Sequence, residues 1–227
     1  MFANAAATGF VLAGGSGARM GQDKVLLPWG DSTLLEEALR KLRAVCGEVR
    51  ICANRMDLGV YAPVIPDAIA PDVAMQGAEP EKSARNKSIG PLGGIVAALE
   101  ATATEWNLFL PVDLPLLPVE FLTELLERAH SGAAWAVIPC LAGRPQPLCA
   151  VYHRDLLSGL GQAVAEGKFK VMLALESAVH ATQNARLPGQ RRGIDHWDIP
   201  LSEQADGFLN LNTPEELEQA HRLLLRR

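Results

Sequence analysis

An apolar run, Gly9 to Leu12, passes straight into the small-residue stretch Ala13-Gly14-Gly15-Ser16-Gly17-Ala18, which ends in Arg19 and, further on, Lys24. This arrangement restricts the fold more than any other feature of the chain. A buried strand must end where the apolar run ends. The glycines then let the backbone take conformations that side chains forbid and let a ligand approach the main chain closely. Successive N–H groups in such a loop can wrap a phosphate, and two cations can neutralise it. The bland alternative is an ordinary tight strand-to-helix turn.

The same rhythm continues downstream. Apolar runs at 8–12, 48–53, 63–65 and 106–110 alternate with helical patterns at 33–45, 90–100 and 119–129. In 33–45 the residues Leu34, Leu35, Ala38, Leu39 and Leu42 recur at helical spacing, with Asp31 or Ser32 placed to cap it. A strand at 133–139, a partner strand at 148–152, helices at 155–165 and 171–176, and a short strand at 207–212 follow. Thr213-Pro214-Glu215-Glu216 opens a last helix, with Pro at its first position and acids in its first turn. Strand–helix alternation predicts an α/β, Rossmann-like, mainly parallel sheet with helices on both faces. In such sheets ligands bind beyond the carboxyl ends of the strands. The glycine loop, Asp67 and Asp113 all follow apolar strands at that end, so three strand ends point at one crevice.

The loop matches neither common phosphate signature. No Ser or Thr follows a Gly-Lys pair, and Gly15-x-Gly17 lacks the third glycine of the dinucleotide fingerprint. The longer string Leu12-Ala-Gly-Gly-Ser-Gly-Ala-Arg-Met-Gly-Gln-Asp-Lys24 resembles the signature of the molybdenum cofactor guanylyltransferases, within the wider nucleotidyltransferase group that includes sugar-phosphate enzymes. Four further segments fit the resemblance: Val64-Ile-Pro-Asp67, Gly90-Pro-Leu-Gly-Gly94, Arg144-Pro-Gln-Pro-Leu148 and Asn210-Leu-Asn-Thr-Pro-Glu-Glu216. Matching motifs run from Gly9 to Leu217 in family order. The fold this implies is the nucleotide-diphospho-sugar transferase type, one domain over 8–227, with a nucleotide-binding half (8–130) and an acceptor-binding half (131–227).

The residues alone support part of the chemistry. Asp113 lies between Pro111 and Pro115, which stiffen the backbone around it. A fixed carboxylate at a strand end suits Mg²⁺, which takes one or two carboxylates plus phosphate oxygens; capping of the next helix is the alternative, although the cap position falls nearer Pro118. Lys24 and Arg19 are placed to meet phosphate charge. Nucleotidyl transfer is mainly positioning and charge stabilisation, so Arg19, Lys24 and Asp113 are the candidate catalytic residues.

The resemblance adds the rest. It implies nucleotide contacts at Leu12, Ala13, Gly14, Gly15, Lys24, Asp67 and Asp113, with Asp113 the Mg²⁺ ligand. The implied reaction joins GTP to a molybdopterin-type cofactor, giving the guanine dinucleotide form and pyrophosphate. Cytidylyl relatives read L-A-A-G where this chain has Leu12-Ala13-Gly14-Gly15, so the missing methyl at 14 leaves room for a purine. Asn210 and Asn212 either face the acceptor or only tie the turn before the last helix. Two departures stand out. Cys52 replaces an Asn common beside the nucleotide, so that contact is absent, made by backbone, or assisted by Asn54. The segment 68–88 is polar, aperiodic and longer than expected, and reads as a surface loop, either a lid or a neutral insertion.

Composition narrows the partners. Net charge is −5, without a basic stripe, which argues against a nucleic-acid surface. No apolar run reaches the ~18–20 residues of a membrane span. The first eight residues lack the charge and apolar core of a secretory signal and read as a frayed tail. The four cysteines form no C-x-x-C pair and the five histidines show no ligand spacing. A reducing, cytoplasmic setting is expected, with a cofactor-delivery or recipient molybdoenzyme as a further partner. The competing readings are a cytidylyl- or sugar-phosphate nucleotidyltransferase on the same scaffold, and a non-catalytic nucleotide-binding or cofactor-chaperone module.

Overall fold

The computed structural model describes residues 7–14, 23–68, 89–184, 191–200 and 206–225. Its centre is an eight-stranded sheet. The strands are β1 (Ala7–Leu12), β4 (Glu48–Cys52), β5 (Val64–Ile65), β6 (Trp106–Pro111), β7 (Ala136–Leu141), β8 (Arg144–Pro145), β9 (Ala150–His153) and β10 (Ile194–Ile199). The order is β10-β7-β9-β6-β1-β4-β5, with β8 hairpinned onto β7. The pairs β1–β4, β1–β6, β4–β5 and β7–β10 are parallel, and β9 is antiparallel to both β6 and β7. A small hairpin, β2 (Pro28–Trp29) with β3 (Ser32–Thr33), stands apart.

Helices cover both faces, as the alternation predicts. Alternate residues of β1 enter different cores: Ala7 and Val11 one, Phe10 and Leu12 the other. The first core is closed by α1 (Leu34–Val45) and α3 (Val119–Ser131), and Ala220 of the last helix, α6 (Pro214–Leu224), joins it. The second is closed by α2 (Pro91–Ala101), α4 (Leu157–Ala165) and α5 (Val171–Asn184). Phe10 stacks on Phe109 with ring centroids 5.2 Å apart. Each such fully buried side chain contributes about 1.5–3 kcal/mol through removal of apolar area from water. Gly9 is needed where α1 crosses β1: a Cβ there would come within 3.1 Å of Leu42 Cβ and 3.2 Å of Cys46 Sγ.

Several expectations are corrected. Thr33, not Asp31 or Ser32, caps α1, because its hydroxyl and the Glu36 carboxylate satisfy each other's backbone N–H in a capping box. The strand expected at 133–139 lies at 136–141, and the helix expected at 171–176 runs to 184. The segment 207–212 is not a strand. A turn occupies Asp206–Leu209, and among the described residues its tie to the strand ends is the bond from Leu211 N–H to Asp113 C=O, 3.1 Å. Strand β10 went unread because its sequence, Ile-Asp-His-Trp-Asp-Ile, is half polar. As an edge strand it packs Trp197 and Ile199 against the first core, beside Phe121, and Ile194 against the second.

Candidate active site

The sheet register levels the three strand ends. Leu12 of β1 pairs with Cys52 of β4 on one side and Pro111 of β6 on the other. The ladder continues beyond them: Ala13 N–H donates to Cys52 C=O at 3.0 Å, Val112 N–H to Leu12 C=O at 3.2 Å, and Ala53 N–H to Ile65 C=O at 3.1 Å. These bonds give the segments that leave the sheet a fixed starting direction. Above them lies a cavity of about 280 Å³. Leu12, Ala13, Gly14, Lys24, Asp67 and Asp113 all line it, so six expected residues from four separate segments meet in one place. Gly15, Arg19 and the loop 69–88 lie outside the described residues.

Lys24 starts a three-residue 3₁₀ helix capped by the Asp23 carboxylate, which accepts from Val25 N–H at 3.3 Å. Its ammonium donates to Asp113 Oδ2 at 2.9 Å and to Asn212 Oδ1 at 2.9 Å. The pair is mostly shielded, with side chains 17% and 22% exposed. Asp113 is therefore not the cap of α3; Pro118 takes the cap position, as read from the sequence. Asn212 supplies an amide oxygen here, while its N–H and that of Thr213 donate to Glu216 at 2.6 and 2.9 Å. Asn212 thus ties the entry of the last helix and meets the Lys24 ammonium.

Asp67 sits differently. Its carboxylate is flanked by two glycines. A Cβ on Gly14 would lie 3.1 Å from Asp67 Oδ2, and one on Gly94 3.1 Å from Oδ1. Asn54 braces it twice, donating from Nδ2 to Asp67 Oδ2 at 3.3 Å and accepting from the Asp67 N–H at 3.0 Å. Burial pushes the Asp67 carboxyl above the usual aspartate value. The same burial, with the Asp67 charge second, pushes the Cys52 thiol well up, so Cys52 is a neutral wall of the cavity. The methyl missing at position 14 therefore spares Asp67 itself.

Sequence reasoning missed one support. Lys41 of α1 is 3% exposed. Its ammonium donates to Pro115 C=O and lies 3.4 Å from Glu37, pinning the segment that carries Asp113. Lys41 stands three residues after Ala38 and seven after Leu34, at the edge of the apolar stripe, but its charge masked that placement in the pattern. Leu148 lines the cavity from the Arg144–Leu148 segment, whereas Arg144 itself is exposed on β8.

Residues 9–182 match the model of the MobA-like NTP transferase domain. The chain belongs to the MobA-like NTP transferase family. Curated relatives of this family member agree. It is 31% identical over 219 residues to a probable molybdenum cofactor guanylyltransferase of Bacillus mycoides, covering 94% of this chain and 95% of the relative. A protein of the same description from Bacillus cereus is 32% identical with the same coverage. Among solved structures, the molybdopterin-guanine dinucleotide biosynthesis protein A of Archaeoglobus fulgidus superposes with a TM-score of 0.69 at 22% identity, over 97% of this chain and 100% of that one. A CMP-2-keto-3-deoxy-manno-octonic acid synthetase in complex with CTP superposes at 0.64 and 14% identity, over 97% and 98%. These last two likenesses show the shared α/β nucleotidyltransferase fold. The protein is a nucleotidyltransferase of that fold. No helix among the described residues is long and apolar enough to cross a membrane.

Proposed function

We propose that this family member transfers GMP from GTP to a molybdopterin-type molybdenum cofactor, giving the guanine dinucleotide cofactor and pyrophosphate. The observation that carries the reading is the convergence of Lys24, Asp113 and Asn212 at one end of the cavity with Asp67, Gly14 and Gly94 at the other. Three strand spacings separate β6 from β5, about 14 Å along the sheet edge. That length suits a nucleotide lying with its phosphates by Lys24 and its base by Asp67.

The acceptor's terminal phosphate attacks the α-phosphorus of GTP. The new P–O bond forms as the bond to the β-phosphate oxygen breaks, and pyrophosphate leaves. No protein nucleophile is needed. Lys24 balances charge on the phosphates as it builds, and it does so in a partly shielded site where such charge stabilisation counts most. Arg19 of the glycine loop is assigned the same task. The Asp67 carboxylate accepts from guanine N1–H and the exocyclic amine. Leu12, Ala13, Gly14 and Gly15 supply the close backbone approach.

Asp113 would hold Mg²⁺. It is a fixed, partly exposed carboxylate at a strand end. Among the described residues no three His, Cys, Asp or Glu side chains cluster to hold a metal, so the fit is to an ion that shares one carboxylate with phosphate oxygens. Such an ion, when bound, neutralises phosphate charge. Residues 8–227 act as one unit, a reading supported by both cores, which draw residues from either side of position 130. A cytoplasmic setting is supported by four free, buried cysteines.

Calorimetric titration with GTP, CTP and ATP, each with Mg²⁺, tests the reading. Selective GTP binding, followed by GTP- and acceptor-dependent pyrophosphate release, is the expected result. Selective CTP binding would move the protein to a cytidylyl role, and binding of none would mean either that the acceptor must bind first or that the chain is a non-catalytic module.

A further inference from the structure

Strand β4 ends in a turn whose two adjacent side chains reach in different directions. Asn54 grips Asp67 from both its amide atoms, across 13 residues of chain. Arg55 reaches Asp23, 32 residues away, with one guanidinium nitrogen on Asp23 Oδ2. The rest of the guanidinium is fixed by Asp57, at 3.3 Å from Nε and 2.6 Å from Nη2. A planar fork held on two sides by one carboxylate has little freedom left for its third nitrogen.

Asp23 is split in the same way. One carboxylate oxygen takes the Arg55 contact and the other accepts from Val25 N–H. Its main-chain oxygen accepts from Leu26 N–H at 3.1 Å, and Lys24 C=O accepts from Leu27 N–H at 3.2 Å. The short helix that starts with Lys24 is therefore anchored through Asp23 to β4. The turn itself is held to the sheet by Ala53 N–H on Ile65 C=O. One rigid strand end thus braces the Lys24 segment and the Asp67 carboxylate together.

We infer that Asn54 and Arg55 are positioning residues of this site: Asn54 fixes the Asp67 carboxylate, and Arg55, acting through Asp23, fixes the backbone that carries Lys24. The inference rests on the assignment of Lys24 to phosphate and Asp67 to base given above. A surface ion pair with no such role is the rival account, since Arg55 and Asp23 are 36% and 39% exposed and exposed pairs contribute little to folding stability. Kinetics and stability therefore separate the two accounts.

The experiment uses the full chain. Arg55→Ala should lower kcat about tenfold at saturating nucleotide, within the range that a displaced catalytic group costs. Its melting temperature and nucleotide Kd should stay near wild type. Asp23→Asn keeps an acceptor for the Val25 N–H but loses the charge, and should reproduce the kcat loss. The double variant should be no worse than either single one, as expected for residues acting as one unit. Arg55→Lys should recover part of the loss. Asn54→Ala should instead raise the nucleotide KM about tenfold with kcat nearly unchanged, since it loosens a base-side group. Amide exchange at Val25 and Leu26 should quicken in Arg55→Ala and not in Asn54→Ala.

Wild-type kcat in Arg55→Ala, multiplying losses in the double variant, or losses that follow melting temperature alone would overturn the inference. The exchange readout needs no nucleotide. An unchanged rate at Val25 in Arg55→Ala would also overturn it, even if the wild type proved to use CTP or to transfer nothing, results that count against the proposed function instead.

Discussion

Asp113 meets the cavity with its charge balanced by the Lys24 ammonium 2.9 Å away, whereas Asp67, three strands along the same edge, is braced among the described residues by the neutral amide of Asn54. The two aspartates follow similar apolar strands and look alike in sequence. Their surroundings give them different chemistry. The Asp113 corner holds a cation and an anion that phosphate and a divalent ion would each compete for. The Asp67 corner is narrow, half-buried and carries a carboxyl that gives up its proton less readily. A charged end and a hydrogen-bonding end on one cavity are what a nucleotide's two ends require.

The largest effect that would sharpen this contrast is at Lys24. Lys24→Ala should reduce turnover by roughly 10²–10³-fold, the scale of losing a preorganised charge-stabilising donor, with the fold retained by circular dichroism. Wild-type turnover there would remove the phosphate assignment. Next is Asp113→Asn, which keeps shape and removes charge. Turnover should fall by more than about tenfold, and the Lys24→Ala/Asp113→Asn double variant should lose less than the product of the two single losses. Multiplicative losses would mean the two groups act separately.

A smaller effect is expected at the other corner. Gly14→Ala places a methyl 3.1 Å from Asp67 Oδ2, so GTP affinity should fall about tenfold, or about 1.4 kcal/mol, with kcat at saturation nearly intact. Unchanged GTP affinity by calorimetry would break the link between position 14 and Asp67.

The smallest effects concern protons. With its pKa raised by burial, Asp67 protonates at a higher pH than a free aspartate. GTP affinity that needs the carboxylate should fall as pH drops through that raised value, and Asp67→Asn should lack this step. Stability has the opposite sign. The folded chain holds this proton more tightly than the unfolded one, so the Asp67 contribution is full below the ordinary aspartate pKa and is lost as pH rises through the raised value. Asp67→Asn should therefore melt slightly higher than wild type at neutral pH, and the gain should shrink on acidification. A lower melting temperature at neutral pH would show that the Asn54 bonds outweigh the burial.

Much of this was legible in local pattern. The parallel core β1–β4–β6 and helices α1, α2 and α3 announce themselves because apolar residues form short unbroken runs or recur at helical spacing within one segment. The Thr213-Pro-Glu-Glu start of α6 is readable because its capping box closes within four residues. Strand β10 and the hairpin β2–β3 were not, since a two-residue strand or a half-polar edge strand takes its pairing from a distant partner. At the site, each aspartate was visible after its strand and Asn54 as a residue near the nucleotide, but the grip of Asn54 on Asp67 and the Lys41 anchor were not, because an amide or a lysine carries no sign of what it will touch.

By itself the sequence determined the order of strands and helices in the core, the glycine loop at the first strand's end, and the placing of Asp67 and Asp113 at strand ends. These follow from burial periodicity and backbone sterics, which act over a few residues. Only the tertiary structure decided that Lys24 bridges Asp113 and Asn212, 89 and 188 residues away. It also decided that Gly14 and Gly94 enclose Asp67, and that Lys41 is drawn inside to hold the Asp113 segment. Those contacts arise where separate segments are packed against one sheet edge, and charge and space there are set by neighbours that no local pattern names.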